Sequence, residues 1–242
     1  MASKLSDYAG QGTNQVQDAK VPYLKIAQEG MTAELNKQKP EYIKGLEAGH
    51  LFCSTTKKVF GSSMEVVVLA TNKSYSFYDR QDWKGSTLVF DPSWERDAAT
   101  GALKTKEGWK VTTCYNYLVI QPEDLLSGNS EPMVLTLKNT DTASARDWNT
   151  KIKQQKFPDG TLLPLFGTVW KLSTMYREND GGKGWYALGN GKIANVNAMG
   201  LLPDKFVDAA AAMFKIASEQ HEKVQSLVDN TNGKSVEDDG EY

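Results

Sequence analysis

Cysteine and histidine are nearly absent from this 242-residue chain, which has Cys53 and Cys114 and only His50 and His221. Two cysteines cannot build a secreted disulfide scaffold. A structural zinc site would have to gather all four of these residues, of which only His50 and Cys53 are close in sequence. No metal and no other cofactor is expected. No apolar run approaches the ~20 residues that span a bilayer, the longest near-continuous one being "EVVVLA", so no membrane partner is expected. No charged-then-apolar leader opens "MASKLSDYAGQG", which points to a reducing cytoplasm.

Signatures of catalysis are also missing. No Gly-x-Ser-x-Gly elbow occurs, and two histidines leave few bases for a triad. Gly233-Lys234-Ser235 copies the end of a phosphate loop, but Val228 stands where the loop's first glycine belongs. Asp79 and Asp82, in "DRQDWKG", read as turn formers. The chain is therefore expected not to be an enzyme.

Charge is present, but unevenly. The formal net charge is −2, yet the segment from Asp229 to Tyr242 holds Asp229, Glu237, Asp238, Asp239 and Glu241 against Lys234 alone, leaving the body mildly positive. An acidic end on a positive body suggests a tail that meets something basic, its own domain included.

The first 20 residues are rich in Ser, Gly, Gln and Asn without apolar periodicity and read as a flexible arm. Candidate strands follow at Met64–Ala70, Lys73–Asp79, Ser86–Phe90, Gly108–Ile120, Pro132–Lys138, Gly167–Tyr176 and Gly184–Gly189. Asn72-Lys73 is placed as the turn of a hairpin between the first two. One helix interrupts the strands over "TASARDWNTKIKQQ", where Ser144 and Asp147 have capping-box spacing. A longer one begins after Pro203 and carries Phe206, Ala210, Met213, Ala217, Val224 and Val228 on one stripe. This pattern predicts a mainly β fold with added helices, an antiparallel barrel or sandwich of which the OB-fold is one member. The expected layout is an arm (1–20), a β domain (21–202), a helix (203–228) and an acidic tail (229–242).

Six Trp, ten Tyr and eight Phe lie largely within the strand region, many beside cations. These neighbours are Lys57, Lys58 and Phe60; Tyr78, Arg80, Trp83 and Lys84; Trp170 and Lys171; Tyr176 and Arg177; Lys183, Trp185 and Tyr186, with Lys192 following. Single-stranded nucleic acid needs this combination, because each base offers a face to stack on and each phosphate a charge to neutralise; stacking contributes ~1–3 kcal/mol per base. Period-two alternation puts Tyr75 and Phe77 on one face of their strand and Tyr78 and Arg80 on the other with Ser74 and Ser76. The glycine-rich "NDGGKG" between Tyr176-Arg177 and Trp185-Tyr186 reads as a hairpin tip with aromatic and basic shoulders, or as a plain loop.

An OB-type body followed by the acidic ending "EDDGEY" resembles the single-stranded DNA-binding proteins of tailed bacteriophages and bacteria. Segments such as "VPYLKIAQ", "YIKGLEAGHLF" and "WKLST" followed by "GKGWY" resemble phage replication proteins of this size. The resemblance implies sequence-tolerant binding of single-stranded DNA in replication or recombination, in the host cytoplasm. It also implies that Glu237, Asp238, Asp239, Glu241 and Tyr242 recruit replication or recombination proteins. The long helix would brace the barrel or join copies into a homo-oligomer. The alternative reading is a non-enzymatic protein-interaction module, or a phage inhibitor of a host factor whose tail mimics DNA phosphates.

Overall fold

The computed structural model describes residues 21–127 and 131–232. The expected arm and the residues from Ser235 to Tyr242 lie outside the described residues. Three short strands open the fold: β1 (Leu24–Ile26), β2 (Leu51–Cys53) and β3 (Val59–Gly61) form an antiparallel sheet in that order. Then come β4 (Ser63–Asp79), β5 (Asp82–Thr87), β6 (Glu95–Arg96), β7 (Leu103–Lys104), β8 (Lys110–Ile120), β9 (Met133–Lys138) and helix α1 (Thr142–Gln154). The chain continues through β10 (Thr168–Ser173), β11 (Met175–Glu178), β12 (Gly184–Ala187), β13 (Val196–Leu201) and helix α2 (Asp204–Asn232).

Two long strands, β4 and β8, are the spine of an open, curled eight-stranded sheet. Along its outer edge β4 carries first β10 and then β5, and β8 carries β9 and then β7. Beyond these, β13 flanks β10 and β6 flanks β7, all antiparallel. The β11–β12 ribbon stands apart from this sheet.

Each sheet face has its own core. On one face Met64, Val66 and Val68 of β4, Tyr115, Tyr117 and Val119 of β8, and Leu135 and Leu137 of β9 pack against Ala145 and Trp148 of α1. Trp148 stacks on Tyr117 with ring centroids 4.2 Å apart and meets Trp170 edge-on at 6.2 Å. On the other face Val67, Leu69, Ile120 and Val169 pack against Phe206 and Ala210 of α2.

Several sequence expectations need correction. Asn72-Lys73 is not a turn: the chain runs straight through as β4, because β8 pairs with it from Val67 to Tyr78, Asn72 opposite Asn116 and Lys73 opposite Tyr115. The alternation breaks for another reason. Val68 faces Val119 and Ala70 faces Leu118, so Leu69 is an extra residue, a β-bulge. The Ser144/Asp147 capping box does not form, since Ser144 is a buried residue inside α1 and the Asp147 carboxylate accepts from Lys151 and from the Ala194 amide. The strand expected at Ser86–Phe90 lies earlier, as β5, set by pairing with the end of β4. The run from Gly167 to Tyr176 breaks at Thr174, whose hydroxyl donates to the Gly49 carbonyl at 2.6 Å. Strands β1, β2, β3, β6, β7 and β13 are additions: the first five have only two or three residues, and β13, with Val196 its one buried residue, is placed by its pairing with β10. The terminal helix buries Phe206 and Ala210 and half-buries Met213 and Ala217, as that part of its stripe requires; the side chains of Val224 and Val228 lie outside the described ones.

Among the described residues no helix is long and apolar enough to cross a membrane.

Candidate functional site

Past the Leu69 bulge the parity of β4 reverses, and the face toward α2 changes character. Up to the bulge it is apolar. Beyond it the same face carries Asn72, Ser74, Ser76 and Tyr78 from β4, facing Asn116 and Cys114 of β8, with Thr136 and Lys138 of β9 alongside. All of these but Tyr78 floor an open groove of about 850 Å³, at the upper part of the ~300–1,000 Å³ range of small-molecule sites. Its walls are Phe214, Ala217 and Ser218 of α2 on one side and Trp83 and Ser86 of β5 on the other, with Tyr23 and Leu165 at the rim.

Hydrogen bonds fix the floor. Asn116 Nδ2 donates to Asn72 Oδ1 at 2.8 Å and to Ser74 Oγ at 2.9 Å, and Thr136 Oγ1 donates to Asn116 Oδ1 at 2.8 Å. Lys138 Nζ donates to the Tyr78 hydroxyl at 3.1 Å and sits 5.6 Å from the centre of that ring. Among the described residues no Asp or Glu lines the groove. Trp83, opposite Tyr78 in the β4–β5 pairing, keeps 64% of its surface exposed at the rim. Among the described residues Arg80, Lys110 and Lys138 have no carboxylate partner, whereas Lys84 lies 4.0 Å from Asp79.

The remaining residues singled out in the sequence lie elsewhere. Trp170 needs a correction: at 1% exposure it is part of the core against Trp148, so it offers no stacking face; the branched Val66 opposite it and the apolar layer below hold it there. Its neighbour Lys171 is half-buried on β10 opposite Glu65. Lys57 pairs with Glu34 at 3.6 Å, and Lys58 is held by Gln121, Asp124 and the Phe60 ring, so the β2–β3 hairpin spends its cations on internal partners.

The glycine-rich segment does form a hairpin, β11–β12, but none of its residues lines the groove. Arg177 lies over the Trp185 ring at 5.0 Å and donates to Asp141 at 2.9 Å, fastening the ribbon to the start of α1. Burial pushes the Asp141 carboxyl up from its ordinary value, with Arg177 pulling the other way. Tyr186 exchanges backbone bonds with the Gln28 side chain and packs on Gly49, where φ is +86° and an added Cβ would stand 2.6 Å from the ring. Tyr176, Lys183 and Lys192 are exposed.

Sequence reasoning missed Asn72, Asn116, Thr136 and Lys138. The available signal was an amide, Asn116, on the face of "GWKVTTCYNYLVI" otherwise carried by Leu118 and Ile120. A polar side chain there is costly unless the surface is wet or used.

Residues 1–228 match the model of a family described as Pam3 phage gp34-like protein. The chain belongs to that family. No curated protein and no solved structure matches it. The match covers every residue of the groove and stops short of the acidic ending. Among the described residues no three His, Cys, Asp or Glu side chains gather as metal ligands would.

Proposed function

We propose that this protein binds single-stranded DNA without strong sequence preference during phage replication or recombination, using the groove between β5, the polar half of the sheet and α2. One observation carries the reading: an open groove, lined among the described residues by no carboxylate, has an exposed Trp83 on its rim and a Tyr78–Lys138 pair at its edge, above a floor of amides and hydroxyls. Unpaired nucleotides present flat faces, hydrogen-bonding edges and phosphates, and these three surfaces answer each in turn. Of the residues named from sequence, Trp83 lines the groove, and Tyr78, Arg80 and Lys84 belong to the same β4–β5 hairpin that carries it. The curled antiparallel sheet supports an OB-like reading of the body, and the phage family supports the setting. The acidic ending from Ser235 to Tyr242 then serves to recruit replication or recombination proteins.

The test is a fluorescence-anisotropy titration with labelled oligo-dT of about 12 nucleotides, at about 50 mM and about 200 mM salt. Affinity is expected to fall with salt, and Trp83→Ala to weaken binding roughly tenfold, the loss of one stacked base. Removing Ser235 to Tyr242 is expected to leave affinity unchanged or tighter. A wild-type protein that binds no oligonucleotide at either salt, or a Trp83→Ala variant that binds as well as wild type, overturns the reading.

A further inference from the structure

The groove floor is graded. Register across β4, β8 and β9 arranges it in rows: Ala70, Leu118 and Val134; then Asn72, Asn116 and Thr136; then Ser74, Cys114 and Lys138. The first row is apolar and lies nearest α2, the second is amide and hydroxyl, and the third ends in an ammonium group. A nucleotide has the same grading, from a flat apolar base face through its polar edge to its phosphate.

Counting donors and acceptors along the amide row gives it a direction. Both Asn116 N–H groups are used, one on Asn72 and one on Ser74, and its carbonyl oxygen accepts from Thr136. Thr136 has spent its single hydrogen on that bond. Two partners keep hydrogens to give: the Asn72 amide, bound only through its oxygen, and the Ser74 hydroxyl, bound only as an acceptor. Lys138 spends one N–H on Tyr78 and retains two. Ser76 is drawn into a contact with Cys114 Sγ at 3.5 Å, while that thiol lies 3.7 Å from the Thr112 carbonyl. The groups left over at the Asn72 end are thus donors held in place by Asn116, and they call for an acceptor on the ligand.

Resting on the single-stranded DNA reading, we propose that the groove reads base edges, with Asn72 and Ser74 as specificity-determining donors to a pyrimidine carbonyl and Lys138 as the phosphate contact. Thymine and uracil place a carbonyl oxygen where cytosine places an amino group, so this row favours the keto bases. The preference is modest and compatible with broad binding, because the stacking on Trp83 accepts any base.

The experiment compares (dT), (dU) and (dC) homopolymers of about 12 nucleotides on the full chain, at two salt concentrations. Both (dT) and (dU) are expected to bind roughly 3- to 10-fold more tightly than (dC), the worth of one net hydrogen bond. Asn72→Ala is expected to bring the ratio within about twofold with the salt dependence unchanged, and Ser74→Ala, a smaller change, to move it in the same direction. Lys138→Gln is expected to weaken all three polymers alike and reduce the salt slope by about one. Thermal melts confirm that each variant folds. Equal affinity for the three polymers, a preference for (dT) that (dU) does not share, or a ratio untouched by Asn72→Ala overturns the base-edge proposal alone. Absence of binding to every polymer overturns the single-stranded DNA reading beneath it.

Discussion

The two faces of the central sheet are built from the same strands, yet one is closed over a core of Tyr115, Tyr117 and Leu137 by α1 and the other is half open. Toward α1, Tyr117, Trp148 and Leu137 are buried to 2% exposure or less, and the Tyr117 hydroxyl reaches the Ala145 carbonyl at 3.1 Å. Burial pushes that hydroxyl's pKa far above its ordinary value, so it stays neutral and adds no charge to the layer. Toward α2, apolar residues stop at the row of Ala70 and Leu118, and amides and hydroxyls continue beyond the helix. The difference originates in one residue. The Leu69 bulge exchanges the faces served by odd and even positions of β4, sending Tyr75 and Phe77 to the α1 side, where Trp94 meets both rings at 5.1 and 5.5 Å, and leaving the serines in the groove. Buried aromatics hold one face together, while the polar remainder lines the open groove.

The largest test of that contrast is a pair of tryptophans. Trp148→Ala on the closed face is expected to cost about 3–5 kcal/mol through the cavity it leaves, read as a lower denaturant midpoint. Trp83→Ala on the open face is expected to change stability by less than about 0.5 kcal/mol while weakening oligonucleotide binding. Equal destabilisation by both would erase the distinction between the faces.

A smaller effect tests the ribbon that hangs outside the sheet. Because burial outweighs Arg177 and holds the Asp141 carboxyl above its ordinary value, folding favours its protonated form. The stability linked to it is present below the ordinary carboxylate pKa and diminishes as pH rises through the raised one. Arg177→Met removes the counter-ion and raises that carboxyl further. Its cost is expected to be slight near pH ~3, where the carboxyl is protonated, and to reach about 1–3 kcal/mol at neutral pH. Denaturant midpoints at the two pH values check this, and a cost independent of pH would show that Arg177 acts only by packing on Trp185.

The smallest effect is expected for Tyr176→Ala. Its ring is 56% exposed and lies away from the groove, so oligo-dT affinity should stay within about twofold of wild type. A tenfold loss would extend the binding surface from the groove onto the ribbon.

The mainly β character, the positions of β8, β9, β12 and both helices, and the division of Tyr75 and Phe77 from Tyr78 were legible in the sequence. They rest on period-two and three-and-four spacing, which covalent geometry imposes locally. The acidic ending and the pairing of rings with cations were equally visible. What only the tertiary structure decided is which of those rings face water and which cations are already engaged. Trp170 and Trp83 have similar basic neighbours, and the layer under β10 buries the first while β5 carries the second to a rim. Lys58 and Lys138 differ likewise, since Asp124 and Gln121 come to one and a phenol to the other. The groove itself depends on Asn72, Asn116 and Thr136 aligning across three strands, a register set by hydrogen bonds between residues distant in sequence and by one bulge, and local spacing carries no record of it.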